Sequence, residues 1–414
     1  MNLMRETLEL PRFSLKERDR RWAEIRRVMK QNGLDCLLIC GAPMKFDFTV
    51  ANARYITHVG GNSTFSFVVF PLEGEPTCFL ESSAASLLDY FARAQDWMKD
   101  LRLKKGQGSW ADVVVSRLKE LGLEKKNIGV DGLAGSLDPN GWFPHSVYAR
   151  LVELIPEANI VNTNDMLEKI RAIKSSEEIE FLEKAAGLGD LMIETCARVA
   201  RPGVRESEVY GKMREAMISN GGEDPTLFLW ASDAHPLPHP FKLPTTRPLQ
   251  KGDLIIFEIH PKYGGYFTHV ERTFCLGQPE KEFLKIYEGC LATFSRGMEL
   301  FTPGRKISEA MTGVKEIIQA RGLGICECGI HGHGLSSLEY PRYRHHVMQT
   351  DTKAIDSIED EFKPGMVFAF NIDLVDPRWR NGETGCVFAE TIAVNEEKPR
   401  RLHRFPINFQ IIDA

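Results

Sequence analysis

The sequence predicts two mixed α/β domains: an N-terminal α/β domain over 1–165 and a second, internally duplicated domain over 166–414. Three observations carry this. The length, 414 residues, suits two or three ordinary domains. Helical and extended patterns alternate through the first part, as in a sheet covered by helices. A Pro-Gly-helix unit then occurs twice, at an offset of 101.

In the first domain, 14–34 has the apolar spacing of an amphipathic helix, and 35–40, 65–71 and 76–80 read as short buried strands. Further helices are predicted over 110–123 and 147–154, and further strands over 127–131 and 159–161. No glycine-rich loop joins a strand to a helix, and Gly60-Gly61-Asn62 does not substitute for one, so no dinucleotide or P-loop site is expected. Asn164 and Asp165 cap a helix through 173. Ser175 and Glu178 form a capping box for a helix to about 200, ended by Pro202 and Gly203.

The duplication sets RPGVRESEVYGKMREAMISNG (201–221) against TPGRKISEAMTGVKEIIQARG (302–322), with six identities. Each copy is followed by a loop with histidine, then by a glycine and an apolar strand, 252–259 and 365–372. The sixth residue after that glycine is Glu258 in one copy and Asn371 in the other. Further strands follow at 266–274 and 385–394. A pseudo-twofold repeat is expected, its two halves lining one shared cleft.

A net charge of −5 argues against phosphate-driven nucleic-acid binding. The charged N-terminal segment lacks the apolar core of a secretory signal, and apolar runs such as 254–257 are too short to cross a bilayer. Nine scattered cysteines, mostly in apolar runs, fit buried reduced thiols and a cytoplasmic location. Eight of the 11 histidines lie between His235 and His346, which directs the search for chemistry there.

Glu258 and Glu390 each interrupt an apolar strand, where an unpaired carboxylate is costly to bury. An ion pair between Glu258 and Arg272 would be the structural explanation of the first. The other candidates are His239, His269, Glu271, His331, Arg342 and Asn371, with His333 unassigned. His260 is expected to point to the strand face opposite Glu258 and to be structural. The string Cys326-x-Cys328-x-x-His331-x-His333 is too tightly spaced for an ordinary zinc module.

KGDLIIFEIHPKYGGYFTHVERTF, GIHGHGLSSLEYP, FKPGMVFAFNIDL and GCVFAETIAV resemble, in order, the blocks of the pita-bread family. That family includes Xaa-Pro dipeptidases, aminopeptidase P, methionine aminopeptidase and the metal-free enzymes creatinase and ectoine hydrolase. IRAIKSSEEIEFLEKAA resembles the helix that opens its catalytic domain, and the first domain resembles the smaller domain of creatinase and prolidase. The resemblance implies a creatinase/prolidase-like α/β domain followed by a pseudo-twofold pita-bread catalytic domain. It also implies a homodimer acting on a small molecule.

The metallopeptidases of this family bind two metal ions through Asp-Asp-His-Glu-Glu. Carried onto this sequence, those positions hold Glu258, His269, His331, Asn371 and Glu390, and Leu338 stands where a second cleft histidine is usual. With two carboxylates in place of four, a dinuclear centre would be under-compensated, so no metal cofactor is expected. The alternative is a single Zn or Fe ion on Glu258, His269, His331 and Glu390. Glu271-Arg272-Thr273 matches a creatinase triplet, Arg342 falls at the spacing of creatinase's carboxylate-binding arginine, and Glu258 matches a catalytic Glu of ectoine hydrolase.

The resemblance therefore implies a metal-independent hydrolase of a C–N bond in a small, nitrogen-rich, carboxylate-bearing substrate. In it, Arg342 holds the carboxylate, and Glu271 and Glu390 bind the cationic nitrogen side. His239 moves the proton, Glu258 attacks or orients water, and His331 hydrogen-bonds the substrate. His269 and Asn371 also contact substrate. A mononuclear metal-dependent hydrolase of the Xaa-Pro peptidase type, or a lyase, is the second reading. A catalytically inactive binding module is the third.

Overall fold

A computed structural model describes residues 11–42, 47–61, 64–81, 85–135, 140–163, 165–225, 227–238, 243–347 and 360–413. The chain divides into two compact units, Met1–Arg171 and Ala172–Ala414.

The first unit runs α1 (Leu15–Gln31), β1 (Cys36–Gly41), α2 (Phe48–Thr57), β2 (Ser66–Pro71), β3 (Thr77–Glu81), α3 (Ala85–Ala94), β4 (Asp100–Lys104), α4 (Trp110–Glu120), β5 (Asn127–Asp131), α5 (His145–Leu154), β6 (Asn159–Asn162) and α6 (Met166–Arg171). Ser14 caps α1 by accepting from the Glu17 amide at 3.1 Å, and Trp22, Ile25 and Met29 form its buried stripe. The sheet order is β4-β3-β2-β1-β5-β6. Strand β1 pairs antiparallel with β2 and parallel with β5. Helices α2 and α3 are absent from the sequence reading. In α2 the polar Thr49, Asn52 and Thr57 are buried along with Val50, Tyr55 and Ile56, so no amphipathic period marks it.

The second unit runs α7 (Ser176–Val199), α8 (Glu206–Ile218), β7 (Phe228–Asp233), β8 (Leu254–Ile259), β9 (Lys262–Tyr263), β10 (Tyr266–Phe267), β11 (Val270–Leu276), α9 (Lys281–Leu300), α10 (Ile307–Ala320), β12 (Gly324–Gly332), β13 (Glu339–Val347), β14 (Val367–Val375), β15 (Gly385–Cys386), β16 (Ala389–Val394), β17 (Pro399–Arg401) and β18 (Gln410–Ile412). The capping box of Ser175 and Glu178 opens α7 as expected. The main sheet is ordered β13-β12-β14-β16-β11-β8-β7, so the repeat is visible as a mirrored strand order about the central β16/β11 pair. Helices α7 and α8 pack a core against β7, β8 and β11, and α9 and α10 pack another against β12, β14 and β16.

The symmetry extends to hydrogen bonds. The Thr391 hydroxyl takes the His269 amide at 2.8 Å and donates to the His269 carbonyl at 2.9 Å. At the corresponding place, the Thr273 hydroxyl takes the Val387 amide at 3.3 Å and donates to the Val387 carbonyl at 3.2 Å. Backbone pairing between β11 and β16 is confined to Glu271 and Ala389. Among the described residues no helix is long and apolar enough to cross a membrane.

Candidate active site

Cross-strand partners share a face of a sheet, and neighbours along a strand do not. Glu258 stands opposite Glu271, Glu271 opposite Ala389, Ala389 opposite Asn371, and Asn371 opposite Gly329. Two and four residues beyond Gly329 come His331 and His333 on that same face. Arg342 of β13 lies opposite His331. The alternate residues Phe257, Phe368, Phe370, Ile372 and Ile392 turn the other way and fill the two helix-packed cores.

This register gathers the imidazoles of His260, His269, His331 and His333. Ring centroids are 4.8 Å apart for His331 and His333, 5.3 Å for His269 and His331, 5.6 Å for His269 and His333, and 4.4 Å for His260 and His269. Ligand atoms of His269, His331 and His333 lie within 4.8 Å of one another, and so do those of Glu258, His260 and His269. Glu258 Oε1 is 2.9 Å from His260 Nε2 and 3.6 Å from His269 Nε2. Glu271 Oε1 is 3.3 Å from His269 Nε2 and accepts from Asn371 Nδ2 at 3.3 Å.

Burial holds His269 and His333 well below the usual imidazole range. For His269 the neighbouring His260 adds to this while Glu258 opposes it; for His333 the nearby His331 adds to it. Both rings are thus neutral, the form that ligates metals. Burial, and then the Glu327 carboxylate across the strand pair, push Asp373 well above the carboxylate range, while its hydrogen bond to Glu271 opposes that.

Beyond the strands, the turn after His333 is fixed by Glu339, which accepts from the Ser336 amide at 3.0 Å. Glu339 also pairs with Lys174 Nζ at 3.0 Å, both side chains buried. Gly334 is required there, because a Cβ would lie 2.7 Å from Glu339 Oε2.

Glu258, His269, Glu271, His331 and Asn371 come together as the sequence suggests, with Arg342 beside them. Glu390 does not. It follows Ala389 in β16 and so points to the helix-packed face, where it pairs with Arg272 and, at 3.2 Å, with Arg401. The ion pair with Arg272, the structural alternative for Glu258, is therefore made by Glu390 instead. His260 is corrected in the opposite sense. It is two residues from Glu258, which on an extended chain restores the same side, and it contacts that carboxylate directly. His333 joins the cluster; its spacing of two from His331 is the signal that would have found it. Cys326 and Cys328 alternate with the histidine face, and Cys328 lies in the core behind it, so the Cys-His string is not one ligand set. His239 lies outside the described residues.

The donor set fits a transition-metal ion. His333 is completely buried, and among the described residues neither of its ring nitrogens has a hydrogen-bond partner; His269 Nδ1 also lacks one there. Buried polar atoms are seldom left so, and convergent neutral imidazoles suit zinc, iron or a similar cation.

Residues 180–396 match metallopeptidase family M24, and residues 21–173 match the Creatinase/Prolidase N-terminal domain. The chain is 28% identical over 280 residues to Xaa-Pro dipeptidase of Pyrococcus furiosus, covering 67% of this chain and 74% of that one. It is 22% identical over 409 residues to creatinase of Bacillus sp. (strain B-0618), covering 96% and 92%. The fold is similar to that of Xaa-Pro dipeptidase from Bacillus anthracis, with a TM-score of 0.75, 21% identity and coverage of 95% and 99%.

These findings overturn the expected metal-free C–N hydrolase of the creatinase or ectoine hydrolase type, and with it the expected lack of a metal cofactor. Xaa-Pro peptidases recur among the relatives and the solved folds, and a buried imidazole cluster occupies the site. The expectation gave most weight to the lost carboxylates; it counted His269 and His331 as donors only in its single-ion alternative and left His333 unassigned. With a match running over more than half of its length, the chain belongs to metallopeptidase family M24.

Proposed function

We propose that the protein is a metal-dependent hydrolase of short peptides, with Xaa-Pro bonds as its substrate class. The observation that carries this is the convergence of His269, His331 and His333, buried and on one face. The named activity of the Pyrococcus furiosus relative supports the bond class. His269, His331 and His333, with Glu258 and His260 adjoining, would hold the metal. When bound, it supplies Lewis-acid polarisation of the scissile carbonyl.

Glu258 takes the proton of the attacking water as general base, and His260 Nε2, 2.9 Å from its Oε1, fixes the carboxylate's orientation. Glu271, held by Asn371, orients His269. Arg342, opposite His331, binds the peptide's terminal carboxylate through its guanidinium fork. His239 is assigned proton transfer to the leaving nitrogen from the sequence resemblance. That resemblance, together with nine buried thiols, supports a cytoplasmic homodimer; sedimentation at equilibrium checks the dimer.

Chelator-stripped and metal-reloaded protein should be compared on Ala-Pro and Ala-Ala. Turnover is expected only after reloading, with preference for Ala-Pro. Equal turnover by stripped and reloaded protein, or failure to cleave either peptide after reloading, overturns the proposal.

A further inference from the structure

We infer that the centre takes one divalent ion per chain, on the imidazoles of His269, His331 and His333, and leaves Glu258 outside the coordination shell as the base. This rests on the metal-dependent reading and adds which side chains take the ion and how many ions there are.

Two candidate ligand groups exist among the described residues, and both contain His269. A neutral imidazole has one lone pair for a metal, so His269 serves one group only. The three-histidine group has the stronger claim. His333 has two buried nitrogens without a hydrogen-bond partner among the described residues, whereas Glu258 Oε1 already receives His260 Nε2 at 2.9 Å. Two imidazoles at tetrahedral positions on one zinc ion stand about 3.4 Å apart, nitrogen to nitrogen. From a spread of 4.8 Å or less, the three rings therefore draw together by up to about 1.4 Å to take the ion.

Among the described residues, the donors left for a second ion are engaged with neighbours: Glu258 with His260, Glu271 with His269 and Asn371, and Asp373 with Glu271. Asn371 offers a neutral amide and Ala389 nothing, although both face the site. Glu390 is turned to the other face, between the guanidinium groups of Arg272 and Arg401. The ion is of the imidazole-preferring class, zinc, iron(II), cobalt or nickel, rather than the oxygen-preferring magnesium or calcium. Three protein ligands also leave a coordination position open, as catalytic sites require.

The test is to strip the full-length protein, titrate it with Zn²⁺ and with Mg²⁺ by calorimetry, and count bound metal by elemental analysis. His333→Leu, His333→Gln and Glu258→Gln are measured alongside, with metal-free melting curves to establish that each folds. One Zn²⁺ per chain is expected, weakened at least 100-fold in both His333 variants and less than tenfold in Glu258→Gln, with no Mg²⁺ bound at micromolar concentration. Two Zn²⁺ per chain overturns the inference and leaves the metal-dependent reading standing. So does one Zn²⁺ that survives in a folded His333 variant and is lost in Glu258→Gln. No binding of Zn²⁺, iron(II), cobalt or nickel overturns both.

Discussion

Glu258 and Asn371 occupy corresponding positions in the two halves of the sheet, as do Glu271 and Ala389, and Arg272 and Glu390. At these corresponding positions the first half presents two carboxylates to the site, and the second presents an amide and a methyl, with Asp373 reaching Glu271 from two residues along β14. Glu390, also of the second half, is turned to the helix side and neutralised by its own repeat partner, Arg272. The duplicated scaffold is thus asymmetric in chemistry. One half carries Glu258 and Glu271, and the other lines the cleft with Asn371 and Ala389 and contributes the strand that leads to His331 and His333.

The sharpest way to break this comparison is to alter the corresponding polar residue of each half in turn, Glu258 and then Asn371. Glu258→Gln should lower kcat by roughly 10²–10⁴-fold, the usual worth of a general base. Asn371→Ala should lower it less than tenfold; steady-state kinetics on an Xaa-Pro dipeptide reads both. The next effect is on stability. Arg272→Met leaves Glu390 buried with Arg401 alone and should destabilise the unit by about 3–5 kcal/mol, as measured by denaturant unfolding. The double change with Glu390→Met should recover most of that loss.

The paired threonines sharpen the comparison further. Thr391→Val and Thr273→Val each strip a buried backbone amide of its acceptor and should each destabilise by about 1–3 kcal/mol. Only Thr391→Val should also weaken metal binding, because its amide belongs to His269. The smallest effect is expected at His333. In metal-free protein, His333→Leu should change stability by no more than about 1 kcal/mol, toward greater stability, because it removes buried nitrogens that have no partner.

Much of this was legible in the chain. The Pro-Gly-helix repeat forecast the mirrored sheet, and the Ser175 capping box set the start of α7. The face on which a residue falls was less legible. Glu390 was read into the cleft and His260 out of it, and in a structure of period two an error of one position inverts every assignment. Only the cross-strand partners resolve it: Ala389, not Glu390, lies opposite Asn371. His333 had no assigned role because the sequence shows a histidine without showing that both its nitrogens lack partners. Helix α2, buried on nearly every side, has no polar face to betray it.

The ion pair of Lys174 with Glu339 bears on how the molecule can be dissected. Lys174 precedes α7, yet its ammonium neutralises the carboxylate that fixes the turn after His333. A fragment beginning at Ser175 would keep every side chain of the histidine cluster and still strand that carboxylate in the interior. A fragment that keeps the turn after His333 neutralised therefore has to start ahead of Lys174, near the division between the two units at Arg171 and Ala172.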